Sequence, residues 1–151
     1  MTKKTLLPST PGSYILLLKL TTPLTITIGA LGETQFPAGI YAYLGSARGP
    51  GGIRARLGRH IAGGKTQRWH IDYLRAKTEI AGDSFLPELN IASATAIPTE
   101  CRGSQALAQL PAAQIPLTQF GARDCRHGCP AHLVLLPPGF ELSDLRQLLT
   151  A

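Results

Sequence analysis

The chain has 151 residues, 44% of them hydrophobic, enough for a real core and too apolar for a disordered body. With 15 Lys or Arg against 9 Asp or Glu, its formal charge is +6, which favours anionic partners without specifying one. No uncharged apolar run reaches membrane-spanning length. The three cysteines, Cys101, Cys125 and Cys129, make no secreted disulfide framework. The expectation is one cytoplasmic domain over residues 1–151, with no membrane partner and a loose arm over 1–11.

In chain order, SYILLLKL (Ser13 to Leu20) is a continuous apolar run and reads as a strand buried on both faces. Leu24, Ile26 and Ile28 alternate with threonines and read as a half-buried strand. GALGETQFPAG reads as turn. IYAYLG is another strand, with Ile40, Ala42 and Leu44 on one face and Tyr41 and Tyr43 on the other. GSARGPGG breaks it, and a helix starts near Gly52. Ile53, Leu57 and Ile61 recur at steps of four as its buried stripe, which sets Arg56 and His60 together on a second face.

RWHIDYLRAK gives a second short helix, with Asp72 pairing on the surface with Lys65 or Arg75. After GDSFLPEL, IASATAI reads as a strand from Ile91 to Ile97. Thr99 is placed to cap a helix from Glu100 to Leu110, with the Glu100 carboxylate in its first turn. Pro111 to Pro130 reads mostly as loop. HLVLLP is a last strand, and ELSDLRQLL a C-terminal helix. The fold class is α+β, a small mixed or antiparallel sheet flanked by helices.

The charge is concentrated. From Arg48 to Lys77 the chain carries Arg48, Arg54, Arg56, Arg59, Lys65, Arg68, Arg75 and Lys77 against a single carboxylate, Asp72. Such density suits a surface that grips nucleic-acid backbone, with Arg48, Arg54, Arg59, Lys65 and Arg68 as contacts. It also suits a solvated helix face. GPGG offers bare amides that a phosphate can approach, or is a plain connector; it is neither a Walker loop nor a dinucleotide fingerprint. Phosphodiester chemistry needs a guanidinium fork on the phosphate and often a carboxylate on a divalent metal. Arg56 suits the first task. Glu100, the only acidic residue between Asn90 and Gln119, suits the second.

Four blocks, GIYAYLGSARGPGGIRARLGRH, KTQRWHIDYL, ECRGSQALAQL and FGARDCRHGCPAHL, resemble the GIY-YIG nuclease superfamily. More closely, they resemble a small branch of it catalogued as a domain of unknown function. The resemblance spans roughly Tyr14 to Leu136. It implies a GIY-YIG-like fold and a metal-assisted DNA strand cut. Carried over, Tyr14 or Tyr43 positions or deprotonates water, Arg56 holds the phosphate, His60 follows it in the motif, and Glu100 binds one magnesium or manganese ion. The chain departs from the pattern in three ways: GSY stands for the first triplet, 28 residues lie between Tyr14 and Tyr43, and the only asparagine is Asn90. The expected function is a metal-dependent DNA endonuclease or nicking enzyme, with DNA as partner ahead of RNA. The alternatives are a non-catalytic nucleic-acid-binding module using residues 48–77, and a structural or protein-interaction domain whose partner the sequence leaves open.

Cys125, His127, Cys129 and His132, with Cys101 upstream, form the last cluster. Thiolates and imidazoles bind zinc tetrahedrally. The spacing is tight, however, and four ligands require a sharply folded loop, so zinc ranks below structural thiols packed beside the sheet. A redox or nucleophilic cysteine ranks lower still, with Arg126 as the neighbour that would lower a thiol pKa.

Overall fold

The computed structural model describes residues 7–63, 67, 69–87, 98–123, 125–141 and 143–144. The elements run β1 (Gly12–Leu20), β2 (Leu24–Thr27), β3 (Glu33–Phe36), β4 (Gly39–Ala47), α1 (Gly52–Ala62), α2 (His70–Arg75), β5 (Glu79–Pro87), α3 (Thr99–Ala108) and β6 (Leu133–Leu135). Four strands form an antiparallel sheet in the order β5-β1-β4-β6, and β2 pairs with β3 as a separate hairpin. The class is α+β, as the sequence implied. Lys65, Arg68, the strand expected over Ile91 to Ile97 and most of the C-terminal helix lie outside the described residues.

The central position of β1 explains its unbroken apolar run. Tyr14, Leu16 and Leu18 pack with Ile53 and Leu57 of α1, Ile71 and Leu74 of α2, and Phe120. Ile15 and Leu17 face the other way, onto Ala42, Leu44, Leu107 and Val134. Each such side chain removed from water contributes roughly 1.5–3 kcal/mol. In β4 the alternation is the expected one: Tyr41 and Tyr43 join the first cluster, and Ile40, Ala42 and Leu44 the second.

Two strands were not legible. ETQF forms β3 although it reads as turn material, and GDSFLP, which the sequence marks only as preceding the next strand, forms most of β5. Their partners supply the explanation. β3 satisfies its backbone on β2, and β5 is an edge strand on β1 with a register shift at Leu17/Leu18. Edge pairing tolerates glycine, proline and polar residues that a central strand does not.

The start of α1 also differs from expectation. Residues 7–11, read as part of a loose arm, dock on it, and Leu7 is buried. The Ile53 amide donates to the Thr10 carbonyl at 3.0 Å, and the Arg54 amide to the Pro8 carbonyl at 2.8 Å. These first-turn donors, the groups a phosphate would use, are taken by the chain itself. GPGG is therefore a connector here. At the far end, Arg75 donates to the carbonyls of His60 and Ile61 at 2.9 and 3.2 Å, closing the helix C-terminus. Helix α3 is capped by Pro98, with Thr99 already inside and no side-chain cap bond.

Candidate functional site

The β1–β4 register sets Tyr14 opposite Gly45. A Cβ on Gly45 would lie 2.5 Å from the Tyr14 ring, so the glycine is what lets the ring cross the neighbouring strand. The Tyr14 hydroxyl then reaches His60 Nε2 at 2.9 Å, as the helical spacing of Arg56 and His60 allows. Burial lowers the His60 pKa to about 4, the opposing Asp72 and the flanking arginines acting less strongly, so the imidazole is neutral at neutral pH. The 3.9 Å approach of His60 Nδ1 to Asp72 is thus no ion pair. It does favour the tautomer with the proton on Nδ1 and the Tyr14 hydroxyl donating into Nε2. Burial raises the Tyr14 hydroxyl well above its ordinary pKa, with Tyr43 adding to the effect, and pushes Tyr43 up to about 12.

Asp72 does not pair on the surface with Arg75. It is buried, takes both guanidinium nitrogens of Arg59 at 2.7 and 2.9 Å, and accepts the Trp69 amide at 2.9 Å. The Arg56 and Arg59 guanidiniums lie 4.5 and 4.4 Å from the centre of the Trp69 ring, a cation–π arrangement. Of the five residues expected to contact nucleic acid, Arg59 is held by Asp72, Arg54 donates to the Leu7 carbonyl, and Arg48 is bound to Glu100.

That last pair defines the first turn of α3. Arg48 bonds both Glu100 oxygens at 2.9 and 3.3 Å, and the Ser13 hydroxyl donates to Oε2 at 2.6 Å. Burial works to raise the Glu100 pKa, but the bonds from Arg48 and Ser13 outweigh it and hold the carboxyl below its usual value. Expected from the resemblance to bind magnesium, this carboxylate is committed to protein partners in this structure.

One residue further, Cys101 opens the second cluster. Cys101, Cys125, Cys129 and His132 bring their ligand atoms within 4.8 Å of one another. Cys101 Sγ is 3.8 Å from Cys125 Sγ and 3.7 Å from His132 Nε2. A zinc ion with Zn–S bonds of about 2.3 Å places tetrahedral sulfurs about 3.8 Å apart. The backbone of His132 is pinned in place, its amide donating to the Phe120 carbonyl at 2.8 Å and its carbonyl accepting the Leu44 amide at 3.0 Å. Burial raises the Cys101 thiol pKa, so a nearby cation is what favours ionisation there. The donor set fits zinc, in a closed four-ligand site of the structural kind. This corrects the ranking of zinc below packed thiols. The loop does fold sharply, and the fourth ligand comes from α3, beyond the reach of any local spacing rule. His127 is not part of the set; it is exposed, and its amide donates to Cys125 Sγ at 3.4 Å.

A profile of the family described as "domain of unknown function DUF123" matches residues 13–149. The chain belongs to that family. No curated protein and no solved structure matches it. In this DUF123 chain, among the described residues, Tyr14, Tyr43, Arg56 and Glu100 all line one open cleft of about 560 Å³, and Cys101, Cys125 and His132 form part of its wall. His60 is buried behind Tyr14. Trp69, His70, Arg123 and Arg126 line the same cleft. The two arginines, either side of Cys125, were missed as a binding pair; only the tertiary path of the loop brings them to the cleft that the tyrosines line.

Proposed function

We propose that this domain is a non-catalytic nucleic-acid-binding module, built around a structural zinc, that grips phosphodiester backbone in the cleft. One observation carries the reading. Arg56, Arg123 and Arg126 line the cleft with no carboxylate paired to them among the described residues, while Glu100 is neutralised by Arg48. Guanidinium forks match phosphate oxygens, and a concave cationic surface concentrates anions. The test is anisotropy of labelled DNA and RNA oligonucleotides across a salt series. Affinity falls steeply with salt, and Arg56→Ala weakens it by roughly tenfold, the order of one charge-assisted contact. Absence of binding to every oligonucleotide at low salt overturns the reading.

A second reading, phosphodiester hydrolysis, is favoured by Tyr14, Tyr43, Arg56 and Glu100 lining one cleft with His60 behind Tyr14, the set implied by the resemblance to GIY-YIG nucleases. Two features weigh against it: the raised hydroxyl pKa values of both tyrosines, and the engagement of both Glu100 oxygens. Nicked, flapped and branched DNA incubated with the protein and divalent cations decides it. A product that disappears in Arg56→Ala supports cleavage, and uncut substrate that is nevertheless bound supports the binding module.

A further inference from the structure

The geometry points to a second phosphate-binding wall in the cleft, made by Arg123 and Arg126, which stands only while Cys101, Cys125, Cys129 and His132 hold a zinc ion. It rests on the nucleic-acid-binding reading and adds to it a ligand-contacting pair and a metal dependence.

The two guanidiniums are exposed cleft residues, and Arg126 lies inside the Cys125–Cys129 ligand loop. The loop has little else to hold it. Among the described residues its ends are tied by the Gly121 amide to His70 Nδ1 at 2.8 Å, by the Gln119 amide to the Pro130 carbonyl at 2.6 Å, and by the His132 amide to the Phe120 carbonyl at 2.8 Å. Between these ties, Cys125 bonds back to Ala122 within the same loop, and Gln105 of α3 reaches the His127 carbonyl at 3.0 Å and Cys129 Sγ at 3.4 Å. Among the described residues no strand pairs with it. Between those tied ends, its fixed points to the rest of the fold are Gln105 and the ligand set, with Cys101 on α3 as the far anchor. Ordering a loop backbone costs about 1–2 kcal/mol per residue, which one amide contact does not offset and a four-ligand metal does.

Charge does not explain the coupling. A zinc ion with three thiolates and a neutral imidazole carries one net negative charge, which by itself weakens phosphate binding. Arg123 and Arg126 offset that charge and hold their guanidiniums towards the space that Arg56 enters from the opposite element. Zinc acts by placement. The ligand class is a polyanionic backbone long enough to offer one phosphate to Arg56 and one each to Arg123 and Arg126.

The experiment compares wild type and Arg123→Ala/Arg126→Ala, each zinc-loaded and each stripped with a chelator and then freed of chelator. All are titrated with one fluorescein-labelled single-stranded oligonucleotide at several salt concentrations, with far-UV circular dichroism alongside. Zinc-loaded wild type binds, and the double variant loses about 1.4 units from the slope of log affinity against log salt, ~0.7 per phosphate contact on a single strand. Stripping zinc from wild type gives a similar loss and leaves the double variant nearly unchanged. Zinc-loaded wild type that binds nothing overturns the binding reading and this inference with it. Tight binding that survives both stripping and the double substitution overturns the inference alone. So does stripped protein that has lost its helix and sheet signal, because the wall is a local element on a standing fold.

Discussion

Gly45 lines the cleft, and the position of Tyr14 depends on it. With a Cβ only 2.5 Å from the Tyr14 ring, Gly45→Ala must push the ring aside and break its bond to His60. The expected cost is on the order of 1–3 kcal/mol, typical of overpacking, read as a lower urea midpoint. His60 sets a pH dependence of defined sign. Its folded pKa of about 4 lies below the unfolded value of 6.5, so between those limits the unfolded chain binds the extra proton. Its contribution to stability is complete above about pH 6.5 and declines as pH falls towards 4, by up to ~3 kcal/mol at about 1.4 kcal/mol per unit. Denaturation midpoints across that range test the sign, and an NMR titration of the His60 ring tests the assignment. A ring that protonates near 6.5 refutes it. The spacing of Arg56 and His60 made their shared face legible from sequence. The role of Asp72 was not legible, because a carboxylate flanked by surface-type residues gives no sign that a guanidinium from α1 will bury it.

At the level of elements, the arm and α1 are one unit. Gly52 has φ +57°, and a Cβ there would run into the carbonyls of Ser9 and Thr10. Gly52→Ala therefore lifts residues 8–10 off the helix. The expected result is faster hydrogen exchange at the Ile53 and Arg54 amides, with exchange in β1 unchanged. An unaltered rate at both amides would show that the arm does not protect them. Of the elements read correctly from sequence, β1, β4 and α1 are the ones whose own side chains carry the clearest periodicity of a buried face. Those missed, β3 and β5, take their structure from backbone pairing with a neighbour, and a composition of Gly, Pro, Asp and Thr hides that.

Over the whole molecule, a core on both faces of one sheet stands beside a cluster that unites residues from α3 and the loop before β6. Purified without chelator, the protein is expected to carry one zinc per chain, and Cys125→Ser to lose it. If removal costs about 3 kcal/mol, the melting temperature falls by roughly 10 °C. Metal-free protein with an unchanged melting curve refutes a structural zinc. Among the described residues no helix is long and apolar enough to cross a membrane. The cluster of three cysteines and one histidine was the least legible feature, because its members were visible as residue types while their meeting point depends on the tertiary path between Cys101 and Cys125.

That path also has a consequence for synthesis. A ribosome delivers Cys101 well before Cys125, Cys129 and His132, and β6, which pairs with β4, follows directly after the last ligand. Until His132 emerges, three soft thiols wait unprotected and one edge of the sheet stays open. The final residues of the cluster therefore close the metal site and allow the sheet edge to be covered in the same short stretch of translation.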